Sequence, residues 1–287
     1  MGPGVCPSRE GNSTMQLSPD TFKQLRDLIY ERSGMYFQDN KKYILEGRLQ
    51  SRLRERHCRS YEDYYNLLKF DAWRDSELTA LFDLITTNET FFYRDVPQLH
   101  AFNDTIVPAI MEANREASKL RIWSAACSTG DEPYTLAMML LERPALANWS
   151  IEILGSDISE TVLSHARRGA YSAHSVRNIP PDLLKKYFAL EGSQYVLSPK
   201  AKQLVKFMNV NLYDQARLKM LRGMDVIFCR NCLIYFDDKA KQKIVASLYD
   251  CLRPNGYLVI GFSESMHAVS SAFKTMHAHR TVLYQKA

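Results

Sequence analysis

Long apolar runs are missing from this 287-residue chain. Nothing in it approaches the ~18–20 consecutive apolar residues of a membrane-spanning helix, and its first residues do not resemble a secretory signal. A cytoplasmic protein without direct membrane insertion is therefore expected. Cysteine is sparse: six residues, at 6, 58, 127, 229, 232 and 251, form no dense framework, which favours reduced thiols over disulfides. Cys229-Arg230-Asn231-Cys232 has metal or redox spacing. A structural zinc site would want a second CxxC or an HxxxH, and His277 with His279 gives only HxH. Buried thiols are the plainer reading, and no metal is expected. Glycine is scarce where nucleotide-binding turns concentrate it. RIWSAACSTGDEPYTLAM, residues 121–138, holds a single glycine, whereas phosphate-cradling turns carry three glycines or a glycine-lysine pair.

What is present is a globular composition, 46% hydrophobic and 24% charged. The first twenty residues, MGPGVCPSREGNSTMQLSPD, have little to bury, and residues 1 to about 15 are expected to form a disordered leader. Charge is uneven. Residues 21–60 hold ten Lys/Arg against five acids, an excess equal to the whole chain's +5. Such a segment implies an acidic partner, which by charge alone could be nucleic acid, lipid or an acidic protein.

Helix signals begin at Ser18, an N-cap candidate followed by Pro19 and closed by Gly34. Further helices are expected near 40–57, 61–70 and 74–86, with no strand signal before Ile122. Residues 16–86 therefore read as a helical domain, and 87–118 as a linker with the first helix of a second domain. From 119 to 287 strand-like runs (120–126, 151–156, 204–209, 225–229, 257–262, 281–284) alternate with helices at 133–143, 159–169 and 238–252. Alternation of this kind with apolar strands argues a parallel sheet covered on both faces. Residues from about 170 to 203 interrupt the rhythm as a small insertion.

Ligands of such sheets bind beyond the carboxyl ends of the strands. Asp157 follows the second strand, where a carboxylate can accept both ribose hydroxyls of an adenosine; an exposed loop acid or helix cap is the alternative. Glu132 opens the first helix after the glycine-poor turn, where the helix dipole alone could favour it. Together with Asp131 it makes the turn averse to phosphate and suited to a cation. S-adenosylmethionine is such a ligand, with a sulfonium, a free ammonium and no phosphate. TTNETFFYRD, residues 86–95, lies between the domains, where Arg94 could grip a carboxylate in bidentate fashion or the aromatics could simply fill the junction. Asn231 and Tyr235 in FCRNCLIYFD follow the fourth strand, but without the prolines of the segment that amino-group methyltransferases carry there. That leans away from nucleic acid as the substrate.

TTNETFFYRD, WSAACSTGDEPYTLAM, LGSDIS, FCRNCLIYFD and GYLVIGFSES, in this order and spacing, closely resemble the chemotaxis receptor methyltransferases, the CheR family, from about residue 17 to 285. The resemblance implies an α/β, Rossmann-like S-adenosylmethionine-dependent methyltransferase fold. Its sheet would be seven-stranded and mostly parallel, with a small antiparallel β-subdomain and an N-terminal all-α domain. It also implies methyl transfer to glutamate side chains in the cytoplasmic helical domain of methyl-accepting chemotaxis receptors, with S-adenosylhomocysteine as product. By motif, cofactor contacts fall on Asn88, Thr90, Arg94, Glu132, Asp157, Asn211, Leu212, Asn231 and Cys232. Catalytic roles are expected for Arg94 and Tyr235. The family's basic recognition helix maps onto GRLQSRLRER, with Arg48 and Arg54 at its key positions. On an ideal helix those two diverge by about 120°, and Arg52 and Arg56 share Arg48's face better. The short Leu190–Gln194 connection resembles family members that work without tethering to a receptor pentapeptide. A monomer is expected.

Overall fold

The computed structural model describes residues 15–287, so the expected leader lies, but for Met15, outside the described residues. The first helix, α1 (Pro19–Ser33), starts where Ser18 accepts a hydrogen bond from the Thr21 amide, a cap worth about 1 kcal/mol. It ends at Gly34, whose φ of 73° is left-handed and whose absent side chain leaves room for the Tyr213 ring. A short 3-10 turn (Asp39–Lys41) leads to α2 (Lys42–Glu55), then α3 (Tyr61–Phe70) and α4 (Arg74–Ile85). Leu45, Leu49 and Leu53 repeat every four residues along α2 and are fully buried with Tyr61, Tyr64 and Leu68 of α3. Each leucine withdrawn from water contributes roughly 1.5–3 kcal/mol, which is why this helical unit has a core of its own.

A helix of three pieces then follows: α5 (Val96–Ala101), a π-helical segment (Phe102–Ile106) and α6 (Val107–Ala113). Beyond it come β1 (Lys119–Ala125), α7 (Asp131–Leu141), β2 (Ser150–Asp157), α8 (Glu160–Arg168), β3 (Ala170–Tyr171), α9 (Ala173–Val176), α10 (Pro181–Tyr187), β4 (Phe188–Glu191) and β5 (Gln194–Leu197). The chain continues through α11 (Pro199–Lys202), β6 (Val205–Asn209), α12 (Gln215–Leu218), β7 (Met224–Cys229), α13 (Asp238–Cys251), β8 (Leu252–Ile260), β9 (Phe273–Ala278) and β10 (Thr281–Lys286).

Among the described residues seven strands make one sheet in the order β6-β2-β1-β7-β8-β10-β9, parallel through β8, with β10 antiparallel to both its neighbours. Burial on both faces explains the continuous apolar strands. Along β1, Leu120 and Ile122 join the core under α6 and α7, while Trp123 and Ala125 join the opposite core under α13. Insertion strands β3, β5 and β4 form a separate antiparallel sheet, with Gly192 and Ser193 alone in the β4–β5 turn.

Two strand expectations need correction. The fifth run was expected to reach Phe262; β8 ends at Ile260 because the Gly261 amide turns onto the Glu264 carboxylate. β9 gave no strand signal. It is an edge strand, paired on one side only, and its half-exposed FKTMHA need not be apolar.

The helical unit and the sheet meet along one seam. The Met35–Phe236 pair forms an antiparallel bridge, and the Tyr30 hydroxyl donates to Asp237 at 3.1 Å. Asp83 accepts from the Ser159 hydroxyl at 2.5 Å and the Thr161 hydroxyl at 2.8 Å. No helix among the described residues is long and apolar enough to cross a membrane.

Candidate active site

At this seam, beyond the carboxyl ends of β1, β2 and β7, a cavity of about 700 Å³ opens. One wall begins with the turn after β1. Ala126 and Ser128 both sit at positive φ (57° and 50°), a conformation that costs a non-glycine residue roughly 1–2 kcal/mol, so something must hold them. The Cys127 amide donates to Ser156 O at 2.8 Å, the Ser128 amide to Asp157 at 2.9 Å, and the Ser128 hydroxyl to Asn88 O at 2.9 Å. Gly130 closes the turn at φ 87°, where an added Cβ would meet Ala166 at 2.8 Å. The single glycine of the motif therefore serves helix packing.

Asp157 is buried and accepts the amides of Ser128 and Ser159, one on each oxygen. Burial pushes its carboxyl above the ordinary aspartate range, and the amide bonds work against that rise. The exposed-acid reading is thereby excluded. The capping hydroxyl of α8 belongs to Ser159.

Glu132 faces the cavity from the first turn of α7, accepting from the Ser124 hydroxyl at 2.7 Å and from Arg230 at 2.8 Å. Its neighbour Asp131 does not face the cavity. It is fully buried beneath the turn, bonded to the Thr129 hydroxyl at 2.6 Å, and burial raises its carboxyl to about 6. The acidic character expected of the turn thus comes to the cavity through Glu132 alone, already paired with a guanidinium. Nothing assigned Arg230 a role; the only signal was an arginine directly after an apolar strand in FCRNC, and its partners lie 98 and 135 residues away. Glu264, in GYLVIGFSES, was also missed. It accepts the amides of Asn231, Leu233 and Gly261 at 2.6–3.0 Å and so fixes the loop after β7, where Asn231 takes φ 58°.

Residues 88–282 match the family description "CheR methyltransferase, SAM binding domain", and residues 20–86 match "CheR methyltransferase, all-alpha domain". The chain belongs to the CheR methyltransferase family. It is 39% identical over 267 residues to chemotaxis protein methyltransferase 2 of Vibrio cholerae, covering 92% of each chain. It is 35% identical to the chemotaxis protein methyltransferase of Borreliella burgdorferi, over 89% of this chain and 91% of the relative. Against that of Escherichia coli it is 32% identical, over 90% and 89%. It is accordingly an S-adenosylmethionine-dependent methyltransferase of the CheR family.

The residues at the cavity fit that cofactor chemically. The cavity offers a buried acceptor carboxylate at Asp157 and a second at Glu132, and the turn after β1 carries neither a lysine nor a glycine run that would suit a pyrophosphate. Asn88, Thr90, Arg94, Asn211, Leu212, Asn231, Cys232 and Tyr235 line the same cavity. Asn211 also donates to Arg32 O at 2.6 Å, tying the wall to α1. The Cys232 thiol lies 3.2 Å from that of Cys229, and this bond together with burial pushes it well above the usual thiol range. Among the described residues no group of three or more His, Cys, Asp or Glu is placed to hold a metal ion. Arg94 bonds Glu89 O at 3.1 Å, with its guanidinium 5.7 Å from the Phe91 ring. Tyr235 is partly exposed, and its carbonyl accepts the Tyr36 amide at 2.9 Å.

The arginines of α2 do not form one free face. Arg52 grips Glu77 of α4 through Nε and Nη2, each at 2.7 Å, and Arg56 reaches the same carboxylate at 3.2 Å. Glu77 is 2% exposed; burial alone would raise its pKa, but bonds from Arg52 and Tyr64 outweigh that and hold it below the ordinary range. Helical spacing placed these arginines together correctly, yet could not show that a buried acid was waiting for two of them. Arg48 borders the cavity and is tied to the Ile85 and Thr86 carbonyls and the Thr87 hydroxyl. Arg54 is exposed, with one bond, to Gln50 O at 3.3 Å.

Proposed function

We propose that this chain transfers a methyl group from S-adenosylmethionine to glutamate side chains on the cytoplasmic helical domains of methyl-accepting chemotaxis receptors. The products are γ-glutamyl methyl esters and S-adenosylhomocysteine. The observation that carries this reading is one cavity whose lining brings the carboxylates of Asp157 and Glu132 together with Arg94 and Tyr235. The carboxylates suit a cationic donor, and the arginine an anionic acceptor.

Asp157 would hold the ribose hydroxyls and Glu132 the ammonium, with Asn88, Thr90, Asn211, Leu212, Asn231 and Cys232 enclosing the rest. When bound, the cofactor supplies an electrophilic methyl group on a sulfonium. A glutamate is already ionised at neutral pH, its reference pKa being near 4.3, so no general base is required. What remains for the protein is alignment and exclusion of water. Arg94 orients the incoming carboxylate, and the Tyr235 hydroxyl donates a second hydrogen bond to it. The charges of donor and acceptor cancel during transfer, so a dry site favours the step.

Arg54 and its exposed neighbours on α2 would meet the acidic receptor surface and speed encounter. The two-residue β4–β5 turn supports action without a pentapeptide tether, and we infer a cytoplasmic monomer. The test is incubation with methyl-labelled cofactor and receptor-bearing membranes. Label released by mild base and abolished by Glu→Ala changes in the receptor supports the reading. Label in RNA or DNA instead, or base-stable label, overturns it.

A further inference from the structure

Arg230 is almost fully buried, yet its guanidinium is divided between two structures with different jobs. One nitrogen holds Glu132 at 2.8 Å; another holds Asp95 at 2.5 Å and the carbonyl of Arg94 at 3.1 Å. The Arg94 segment needs holding. Tyr93 and Asp95, on either side of Arg94, both stand at positive φ (57° and 58°), which neither side chain favours. Such strain persists only where surrounding contacts over-determine it. On the other side the Tyr93 amide is anchored on the Thr135 hydroxyl of α7 at 3.2 Å. Glu132, one of the two carboxylates that share this guanidinium, also lines the cavity. A ligand ammonium could pair with Glu132 there.

We propose that Arg230 is a positioning residue that joins the two halves of the reaction. One end fixes the carboxylate that receives the cofactor ammonium, and the other fixes the main chain from which Arg94 reaches the acceptor. The two ends of a planar, forked cation can be held at once; a lysine, a single-point cation, cannot replace both. The role of the Arg94 end rests on the reading given above for the acceptor.

The test uses the full chain and the variants Glu132→Gln, Asp95→Asn, Arg230→Lys and Arg230→Met. S-adenosylhomocysteine and adenosine are titrated by calorimetry, and turnover is measured at saturating cofactor. Adenosine lacks the ammonium and reports on the Asp157 side, so its retention shows that the cavity has folded. Glu132→Gln is expected to weaken S-adenosylhomocysteine by about tenfold while changing saturated turnover less than about threefold. Asp95→Asn should do the reverse, sparing affinity and lowering turnover by about tenfold, as loss of one orienting contact does. Arg230→Met should lower both, with adenosine affinity within about threefold, and Arg230→Lys should recover one parameter but not both.

The proposal is overturned if Arg230→Met weakens adenosine as much as S-adenosylhomocysteine, if it leaves turnover intact, or if Arg230→Lys restores both. It is overturned too if Glu132→Gln and Asp95→Asn change the same parameter. Should the wild-type chain methylate no receptor glutamate, the acceptor reading fails, and the two titrations still decide the Glu132 end.

Discussion

The wall of the cavity that we assign to the cofactor hangs from the ends of adjacent parallel strands. The wall that we assign to the acceptor is assembled across a seam between two units. On the first, Asp157 and Glu132 each have both carboxylate oxygens engaged by fixed neighbours, so the site is shaped without a ligand. On the second, Tyr235 is positioned by the Tyr36 amide from the α1–α2 connection, and Arg94 by a linker with two left-handed residues. The proposed donor site thus rests chiefly on the sheet, with Asn88 and Thr90 of the linker beside it, and the proposed acceptor site on how the helical unit docks. Substitutions on the two walls should accordingly separate affinity from turnover.

The sharpest separation is expected at Arg94. Arg94→Ala should cut saturated turnover by about tenfold to a thousandfold, the range for loss of a positioning and charge-stabilising contact. Calorimetric affinity for S-adenosylhomocysteine should fall far less, and equal losses in the two would break the division between walls. Next is Glu77, which belongs to neither wall. Glu77→Gln leaves Arg52 and Arg56 without their buried acid and should cost about 1–3 kcal/mol in urea unfolding, discounted because both arginines are partly exposed. Its pH dependence has a defined sign. Because the folded-state carboxyl lies below its unfolded value, the stabilisation is present at neutral pH and is lost as pH falls through that depressed pKa. The variant should therefore converge on wild type in acid, with cofactor affinity at neutral pH unchanged.

A smaller effect, about threefold to tenfold on turnover, is expected for Tyr235→Phe if the hydroxyl contributes a hydrogen bond of ordinary strength. An unchanged rate would leave only the ring in use. Smallest is Arg54→Ala. It should lower the rate at low salt by about twofold to threefold and converge with wild type at high salt, because an exposed charge acts through screened encounter. A deficit independent of salt would argue for a fixed contact.

The contrast between the walls also governs what the sequence disclosed. Asp157 and Glu132 were legible because their positions follow local rules: a strand ends, a turn follows, a helix begins. Arg230, Glu264 and Glu77 act through partners far along the chain, and no local pattern marks a buried ion pair before the fold brings its members together. Asp131 was misassigned for a related reason. Adjacent residues at a helix start point in different directions, and only packing decided that Glu132 would face the cavity and Asp131 the interior. Strands inside the sheet such as β7 were plain because burial on both faces leaves them uniformly apolar, whereas β9, at one edge and half in solvent, carried no such mark. The five motifs identified the family because their order and spacing preserve the strand ends around one cavity.

Titration of S-adenosylhomocysteine into the wild-type chain and into Asp157→Asn tests most directly whether a carboxylate-lined, phosphate-free wall holds the methyl donor. The expected result is one site on the wild type, weakened by about a hundredfold in the variant, since two hydrogen bonds to a buried charge are lost. Binding should also weaken as pH falls toward the raised Asp157 pKa, because ribose hydroxyls donate to the ionised form. Absence of binding to the wild type, equal binding to both proteins, or displacement of the ligand by a pyrophosphate-bearing dinucleotide would contradict it.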